Sequence, residues 1–323
     1  MKKQAKLTLA KKLTAFLMAA VMLTALAACG KTSETSFTVD KVVMTYVASP
    51  LNVPSIIEKD RGDFAAAFEK LGLGFGYSDL DSGADQTAAL ASGDIQILNA
   101  VGSSSVILAA ANGADIVILS MYSAAPEAFA MFANDASLNS PEALRGKTIA
   151  GPKGTNLHEL LAAYLATGNM TVDDVNFVSM DIPSSVAALE SGSVDVALAG
   201  GAAAYNCEKS AKYKIADGEG LIPATIVTAT TRKFADENPK IIETFLATQK
   251  QIVDYMLQNE DEALATAAES LGLEEESVKE MYAMYDFDTS ITDDDIAAIQ
   301  ATEAFLLDSG MIENHVDIND IIY

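Results

Sequence analysis

The sequence predicts an α/β fold of two similar lobes, with a cleft between them and helices at the C-terminal end. Three observations predict it. Strand-like and helix-period segments alternate from residue 42 to 99. The same alternation returns from 147 to 198, and a helical pattern runs on from Asn238. Alternation of this kind argues for parallel sheets covered by helices.

In the first unit, Val42 to Val47 is rich in β-branched and apolar residues and reads as a strand. Pro54 to Leu71 reads as one helix, with Ile56, Ile57, Phe64, Phe68 and Leu71 near one face. Gly74 to Tyr77 is extended, Gln86 to Ser92 helical and Ile95 to Leu98 extended. In the second unit, Lys147 to Ala150 is extended, Leu157 to Thr167 helical, Val175 to Met180 extended, Ser184 to Ser191 helical and Val194 to Leu198 extended. The units echo each other in letters. Ala88-Ala89-Leu90-Ala91-Ser92-Gly93 precedes one third strand, and Ala187-Ala188-Leu189-Glu190-Ser191-Gly192 the other. Each glycine stands where a helix must stop.

Ile116 to Leu119 and Ala128 to Phe132 are strand-like, as are Tyr213 to Ala216 and Ile226 to Ala229. The stretches 123–127 and 218–225 are rich in Gly, Pro, Ser and Ala and read as crossings between lobes. The expected division is therefore 41–125 for the first part of lobe 1, 126–224 for lobe 2, and 225–323 for the rest of lobe 1 with the C-terminal helices. Asn238-Pro239 and Thr292-x-x-Asp295 are helix starts, and the helical pattern ends at Gly310.

The start of the chain sets the compartment. Lys2, Lys3, Lys6, Lys11 and Lys12 precede an apolar run, Leu13 to Ala28, broken only by Thr14 and Thr24. A basic start, a short apolar stretch and a small-residue end read as a secretory signal peptide over 1–28. The run falls short of the roughly 20 apolar residues of a membrane span. Its end, Leu26-Ala27-Ala28-Cys29-Gly30, resembles the bacterial lipobox, which implies cleavage before Cys29 and lipid on that thiol. The lipobox family supplies at least a diacylglycerol, enough for stable anchoring. Residues 29–40 then form a flexible, polar tether. The expected location is the cell membrane, lipid-anchored on the extracytoplasmic side.

Composition excludes several classes. Loss of the five leader lysines takes the formal charge from −24 to −29. Such a chain does not gather nucleic acid by counterion release. With Cys29 modified, Cys207 is the one cysteine left, which rules out an intrachain disulfide and reads as a small buried residue. His158 and His315 stand far apart without cysteine partners, so no zinc site is expected. Asp286-x-Asp288-x-Ser290 begins like a calcium loop but lacks the sixth-position Gly and has Ala297 where the last carboxylate belongs. No Gly-x-Ser-x-Gly, Walker loop or His-Glu-x-x-His occurs, and neither an enzyme nor a cofactor is expected.

Open parallel sheets bind ligands beyond the carboxyl ends of their strands. The loops there are Ala48 to Asn52, Asp81 to Gly83, Val101 to Ser104, Pro152 to Asn156 and Gly200 to Ala202. Each precedes a helix, and helix starts offer unpaired N–H groups with partial positive charge. Glycine and serine also serve such turns for steric and capping reasons. Their recurrence in both units favours a binding cleft for an acceptor-rich ligand such as a sulfonate or carboxylate. The candidate contacts are Ser49, Asn52, Ser82, Gly102, Ser103, Gly154, Thr155 and Gly201, with Asn156 and His158 as further candidates. Arg145 and Lys147 read as turn and surface charges.

Four segments carry a family resemblance. They are Ser82-Gly83 leading into the 88–94 helix end, Gly102-Ser103 after the third strand, Leu144 to Ala150 with Lys153 to His158, and Phe234-Ala235-Asp236-Glu237-Asn238-Pro239. Over roughly residues 42–260 the chain resembles the nitrate/sulfonate/taurine/thiamine-precursor solute-binding family of ABC importers. The resemblance implies a type II periplasmic-binding-protein fold whose cleft closes on a small organic anion or heterocycle. It also implies a permease and an ATPase as partners, and a monomer. Sulfonate binders of this kind often carry a Trp-containing segment where Ala199-Gly200-Gly201-Ala202 stands, and this chain has no Trp. That departure hints at a different or bulkier ligand. Two other readings stay open: a biosynthetic enzyme of the same fold, of the thiamine-pyrimidine or menaquinone type, which the leader argues against, and a lipoprotein that presents its ligand to a sensor.

Overall fold

The computed structural model describes residues 37–48, 51–80 and 82–323. Contacts divide the chain into Met1–Thr38, of which only Phe37 and Thr38 are described, and the folded unit Val39–Tyr323. The signal peptide, Cys29 and most of the tether lie outside the described residues.

The folded unit opens with β1 (Lys41–Tyr46), α1 (Val53–Arg61), α2 (Asp63–Glu69), β2 (Gly74–Asp79), α3 (Gly83–Ser92), β3 (Leu98–Gly102), α4 (Ser103–Ala111) and β4 (Val117–Ala124). The single helix expected over 54–71 is two. Gly62 takes φ +69 and returns its N–H to the Glu58 carbonyl, a left-handed stop that glycine adopts without a Cβ penalty. The sequence pattern reads through it because apolar residues on both sides keep one period.

Next come β5 (Phe129–Ala133), β6 (Thr148–Gly151), α5 (Asn156–Thr167), β7 (Asn176–Ser179), α6 (Ile182–Glu190), β8 (Val196–Gly200), α7 (Gly201–Lys209), β9 (Tyr213–Asp217) and β10 (Thr225–Thr230). Both third strands sit later than expected, at 98–102 and 196–200 rather than 95–98 and 194–198. Ile97 makes one parallel bridge to Met44, and the regular pairing of β3 lies beyond it, with β10. Burial placed β3 there despite its poor strand residues: Leu98 to Val101 are all buried.

With that bridge, the first half runs in the order β2-β1-β3-β10-β4, and the second is one sheet, β7-β6-β8-β5-β9. The roles match position by position. In each half the fourth strand is antiparallel to its neighbours and is delivered at a crossing: β5 after Ala124, β10 after Asp217.

The C-terminal run is α8 (Arg232–Glu237), α9 (Pro239–Gln258), α10 (Glu260–Leu271), α11 (Glu275–Tyr282), α12 (Asp293–Asp308) and α13 (Ile318–Ile321). Pro239 opens α9, and Thr292 with Asp295 forms a reciprocal capping box on α12, whose first turn carries three aspartates. The helical pattern is interrupted between α11 and α12, where Asp286 exchanges two 2.9 Å backbone hydrogen bonds with Ala124. This is a third pass beside the crossings. The helices α12 and α13 cover the first sheet through Ile299, Leu306, Ile318 and Ile321, while α11 reaches α7, with Lys209 Nζ 3.2 Å from Glu280 Oε2.

Candidate functional site

The helices that follow sheet strands fall into two kinds. Those after the second strand of each half close their own first turns. Ser82 accepts from Asp85 N at 3.0 Å on α3, and Asp181 accepts from Ser184 N at 2.7 Å on α6. Those after the first and third strands, α1, α4, α5 and α7, have no side-chain cap. The residues before α4 and α7 are Gly102 and Gly200, which have no side chain to offer. Thr155 before α5 turns its hydroxyl to the Pro152 carbonyl at 2.9 Å instead. Asn52 before α1 is buried and donates Nδ2 to Val47 O at 2.8 Å. Uncapped first turns leave donors and a partial positive charge for something else. On α1, however, Pro54 has no N–H and Ser55 N donates to Tyr122 Oη at 3.2 Å.

Three helix starts converge. Ser104 Oγ donates to Asn156 Oδ1 at 3.0 Å, and Asn156 Nδ2 donates to Thr225 O at 3.3 Å. The Ser103 and Thr225 hydroxyls lie 2.5 Å apart, and Ser105 Oγ donates to Gly154 O. A Cβ on Gly102 would stand 2.8 Å from Asn156 Oδ1, and one on Gly83 would strike Ser105 Oγ. Gly154 takes φ +70, so its loop needs glycine for conformation rather than for space. Gly201, with φ +50, is buried at the start of α7.

The structure thus brings Ser82, Gly102, Ser103, Gly154, Thr155 and Asn156 into one neighbourhood of helix starts. Asn52 and Gly201 head the other two uncapped helices. Ser49 lies outside the described residues. The side chains of Ser82, Ser103, Thr155 and Asn156 all have protein partners, so what this neighbourhood offers a ligand is chiefly backbone N–H.

His158 is set apart. Its ring stacks on Phe177 at 4.5 Å, and Nδ1 accepts the Gly154 N–H at 3.3 Å. Burial, aided by Lys153, pushes it down to about 4, so the ring is neutral at physiological pH. It lines a cavity of about 630 Å³ between α5 and the end of α12, with Phe177 and Phe305. The next residue, Glu159, is buried beside Thr302 of α12, and burial raises its carboxyl to about 7.

Sequence reasoning included Ser104 in a candidate loop without singling it out, and missed Ser105 and Thr225. The run Ser103-Ser104-Ser105 was itself a signal, since three hydroxyls opening an apolar helix are excessive for capping. Nothing local marked Thr225. Two further donors were also missed: the hydroxyls of Ser123 and Tyr285 are buried without a hydrogen-bond partner. They flank the Ala124–Asp286 pair, so they lie on the opposite face of that ribbon from it. Ala100, inside β3, takes φ +66 at a register shift against β10. Strained non-glycine residues of this kind gather at functional sites.

Arg145 pairs with Asp174 and Lys147 lies 3.6 Å from Asp195, both on the surface. His315 is exposed and bonds Glu303 at 3.0 Å. Cys207 is buried and free. Asp286 and Asp288 accept from Asp288 N and Ser290 N at 3.0 and 2.9 Å, ordinary turns of the chain. Among the described residues no three metal-ligating side chains gather, and no helix is long and apolar enough to cross a membrane.

Known proteins resemble this chain in sequence and in fold. The family model "NMT1/THI5 like" matches residues 68–263. A Bacillus subtilis (strain 168) protein provisionally named an aliphatic sulfonates-binding protein is 25% identical over 83% of this chain and 82% of its own length. The taurine-binding periplasmic protein of Escherichia coli (strain K12) is 31% identical over 51% of this chain and 52% of its own. The alkanesulfonate-binding protein SsuA of Xanthomonas axonopodis pv. citri, solved bound to MOPS, superposes with a TM-score of 0.78 at 20% identity. That superposition covers 88% of this chain and 98% of that one, and shows a common periplasmic-binding-protein fold.

Proposed function

The chain belongs to the NMT1/THI5-like family, and from that premise we infer that it is the extracytoplasmic solute-binding subunit of an ABC importer. It captures a small organic anion or heterocycle between the two halves and delivers it to a permease driven by an ATPase. The observation that carries the ligand class is the set of uncapped helix starts on α4, α5 and α7. Each is worth about 0.3–1 kcal/mol to an anion when exposed and up to about 2 when partly buried. The chain's own negative charge is screened beyond about 8 Å, so the nearby donors decide. The names of the relatives favour a sulfonate head group. The glycines at 200 and 201, in place of an aromatic residue, favour a body bulkier than taurine.

The protein acts by binding rather than by catalysis, as a monomer, in two lobes that meet at the crossings 125–128 and 218–224. Lipid on Cys29 holds it at the outer face of the membrane. Fatty-acid labelling that marks the wild type and is lost in Cys29→Ala supports the anchor, and an unlabelled wild type sinks it. The binding reading is tested by thermal shift over taurine, longer alkanesulfonates, nitrate, pyrimidines, flavins and aromatic acids. A true ligand at a hundredfold excess over its dissociation constant adds about 2.7 kcal/mol of stability. If nothing shifts melting and the purified protein carries no solute, the reading fails.

A further inference from the structure

We propose that Asn156 and Ser104 form a latch between the two halves that holds the cleft closed and makes no contact with the solute. Asn156 opens α5 in the second half. Its side chain is buried, and both ends of its amide are engaged by the first half. The Thr225 carbonyl only accepts, so it fixes the amide nitrogen on that side. The amide oxygen is then left to the Ser104 hydroxyl, which donates to it. Ser105 adds a third bond across the gap, to Gly154 O. The approach is close enough that a Cβ on Gly102 would stand 2.8 Å from the amide oxygen. A side chain bonded at both ends within the protein has little left for a ligand, whereas the uncapped N–H groups beside it are still on offer.

Asn156 is therefore a positioning residue. It brings the starts of α4 and α5 to the separation at which both reach one solute. Its hydrogen bonds also favour the closed form before solute arrives. The functional meaning of closure rests on the solute-binding reading, but the latch itself is tested without any solute.

The experiment measures the radius of gyration by solution X-ray scattering, and the amide hydrogen exchange of 102–106 and 154–158, on the ligand-free mature protein. Asn156→Ala and Ser104→Ala should each lower the closed-to-open ratio roughly tenfold, about 1.4 kcal/mol. Scattering then reads a larger radius, and exchange reads a matching loss of protection. The double variant should lose little more than Asn156→Ala alone, because Ser104 acts only through its bond to Asn156, whereas Ser104→Ala spares the bond to Thr225. Asn156→Asp should open the protein further than Asn156→Ala, since its carboxylate faces the Thr225 carbonyl. Folded variants with an unchanged radius and unchanged protection overturn the latch. So does Asn156→Asp behaving as wild type. If no tested compound binds, the scattering result still decides the latch, and only the solute reading falls.

Discussion

The helices that follow β2 and β7 close their first turns with their own residues, and those that follow β1, β3, β6 and β8 do not. Ser82 and Asp181 are N-caps of the ordinary kind. Gly102 and Gly200 cannot cap anything, and Thr155, a residue suited to capping, points elsewhere. The same distinction appears in both halves at matching strand positions. It separates helix starts closed by the side chain of their own cap residue from helix starts that are not.

Two glycine substitutions at the uncapped starts should act in different ways. Gly102→Val should weaken solute binding at least about 100-fold, some 2.7 kcal/mol, with the fold retained. Its φ of −62 suits any residue, so the damage comes from crowding Asn156. Gly154→Val acts differently, because its φ of +70 charges about 1–2 kcal/mol of backbone strain to stability itself. Titration calorimetry beside a melting curve separates the two. Intact affinity in both would remove the uncapped starts of α4 and α5 from solute binding.

A second contrast lies inside α5. Glu159 occupies its first turn, where the helix dipole favours a negative charge by about 0.3–1 kcal/mol. Burial outweighs that and raises the carboxyl to about 7. An unfolded carboxyl ionises near 4.5 and this folded one near 7, so stability is lost as pH rises from about 4.5 to 7. Glu159→Gln should then match wild type below pH 4.5 and exceed it above pH 7, by about 3 kcal/mol at most. Glu58 is also raised to about 7, yet it accepts from Tyr77 Oη at 2.6 Å and Phe64 N at 3.2 Å. Its Gln variant should gain less. His158 has the opposite sign: lowered to about 4, it withdraws stability as pH falls below 6.5. Melting curves from pH 4 to 8 on the variants check each direction.

The alternation of strand and helix was legible because each element carries its own period and its own punctuation. The strand ends, and with them most candidate residues, followed from that. What was not legible depends on residues distant in sequence. The pairing of β10 with β3 and β4 spans more than a hundred residues, and so does the bond between Ser103 and Thr225. Asn156 read as a ligand candidate because its position at a helix start is local information. Its two bonds to the other half are not. Gly62 escaped for a different reason, since one residue in a left-handed conformation leaves the apolar period on either side undisturbed.

Ser82→Ala tests the capped kind directly. The hydroxyl accepts from Asp85 N at 3.0 Å and donates to Asp85 Oδ2 at 2.8 Å. Its loss should cost about 1 kcal/mol of stability and leave affinity unchanged. A large fall in affinity would place Ser82 among the ligand contacts and blur the comparison.

The smallest effect is expected at Arg145, the most tempting cation for an anionic solute to seek. Its guanidinium is largely exposed and pairs with Asp174, beside the turn that leads into β7. Asp174 is held below the usual carboxylate range first by the Thr171 N–H, and only then by Arg145. Removing the arginine therefore leaves the carboxylate with its principal partner. Exposed ion pairs contribute little, and salt screens them further. Arg145→Ala should shift neither the melting temperature beyond measurement scatter nor the solute affinity, at low or at physiological salt. If binding collapsed in Arg145→Ala while Gly102→Val bound normally, the solute would sit beside the β7 edge, and the uncapped helix starts would need another explanation.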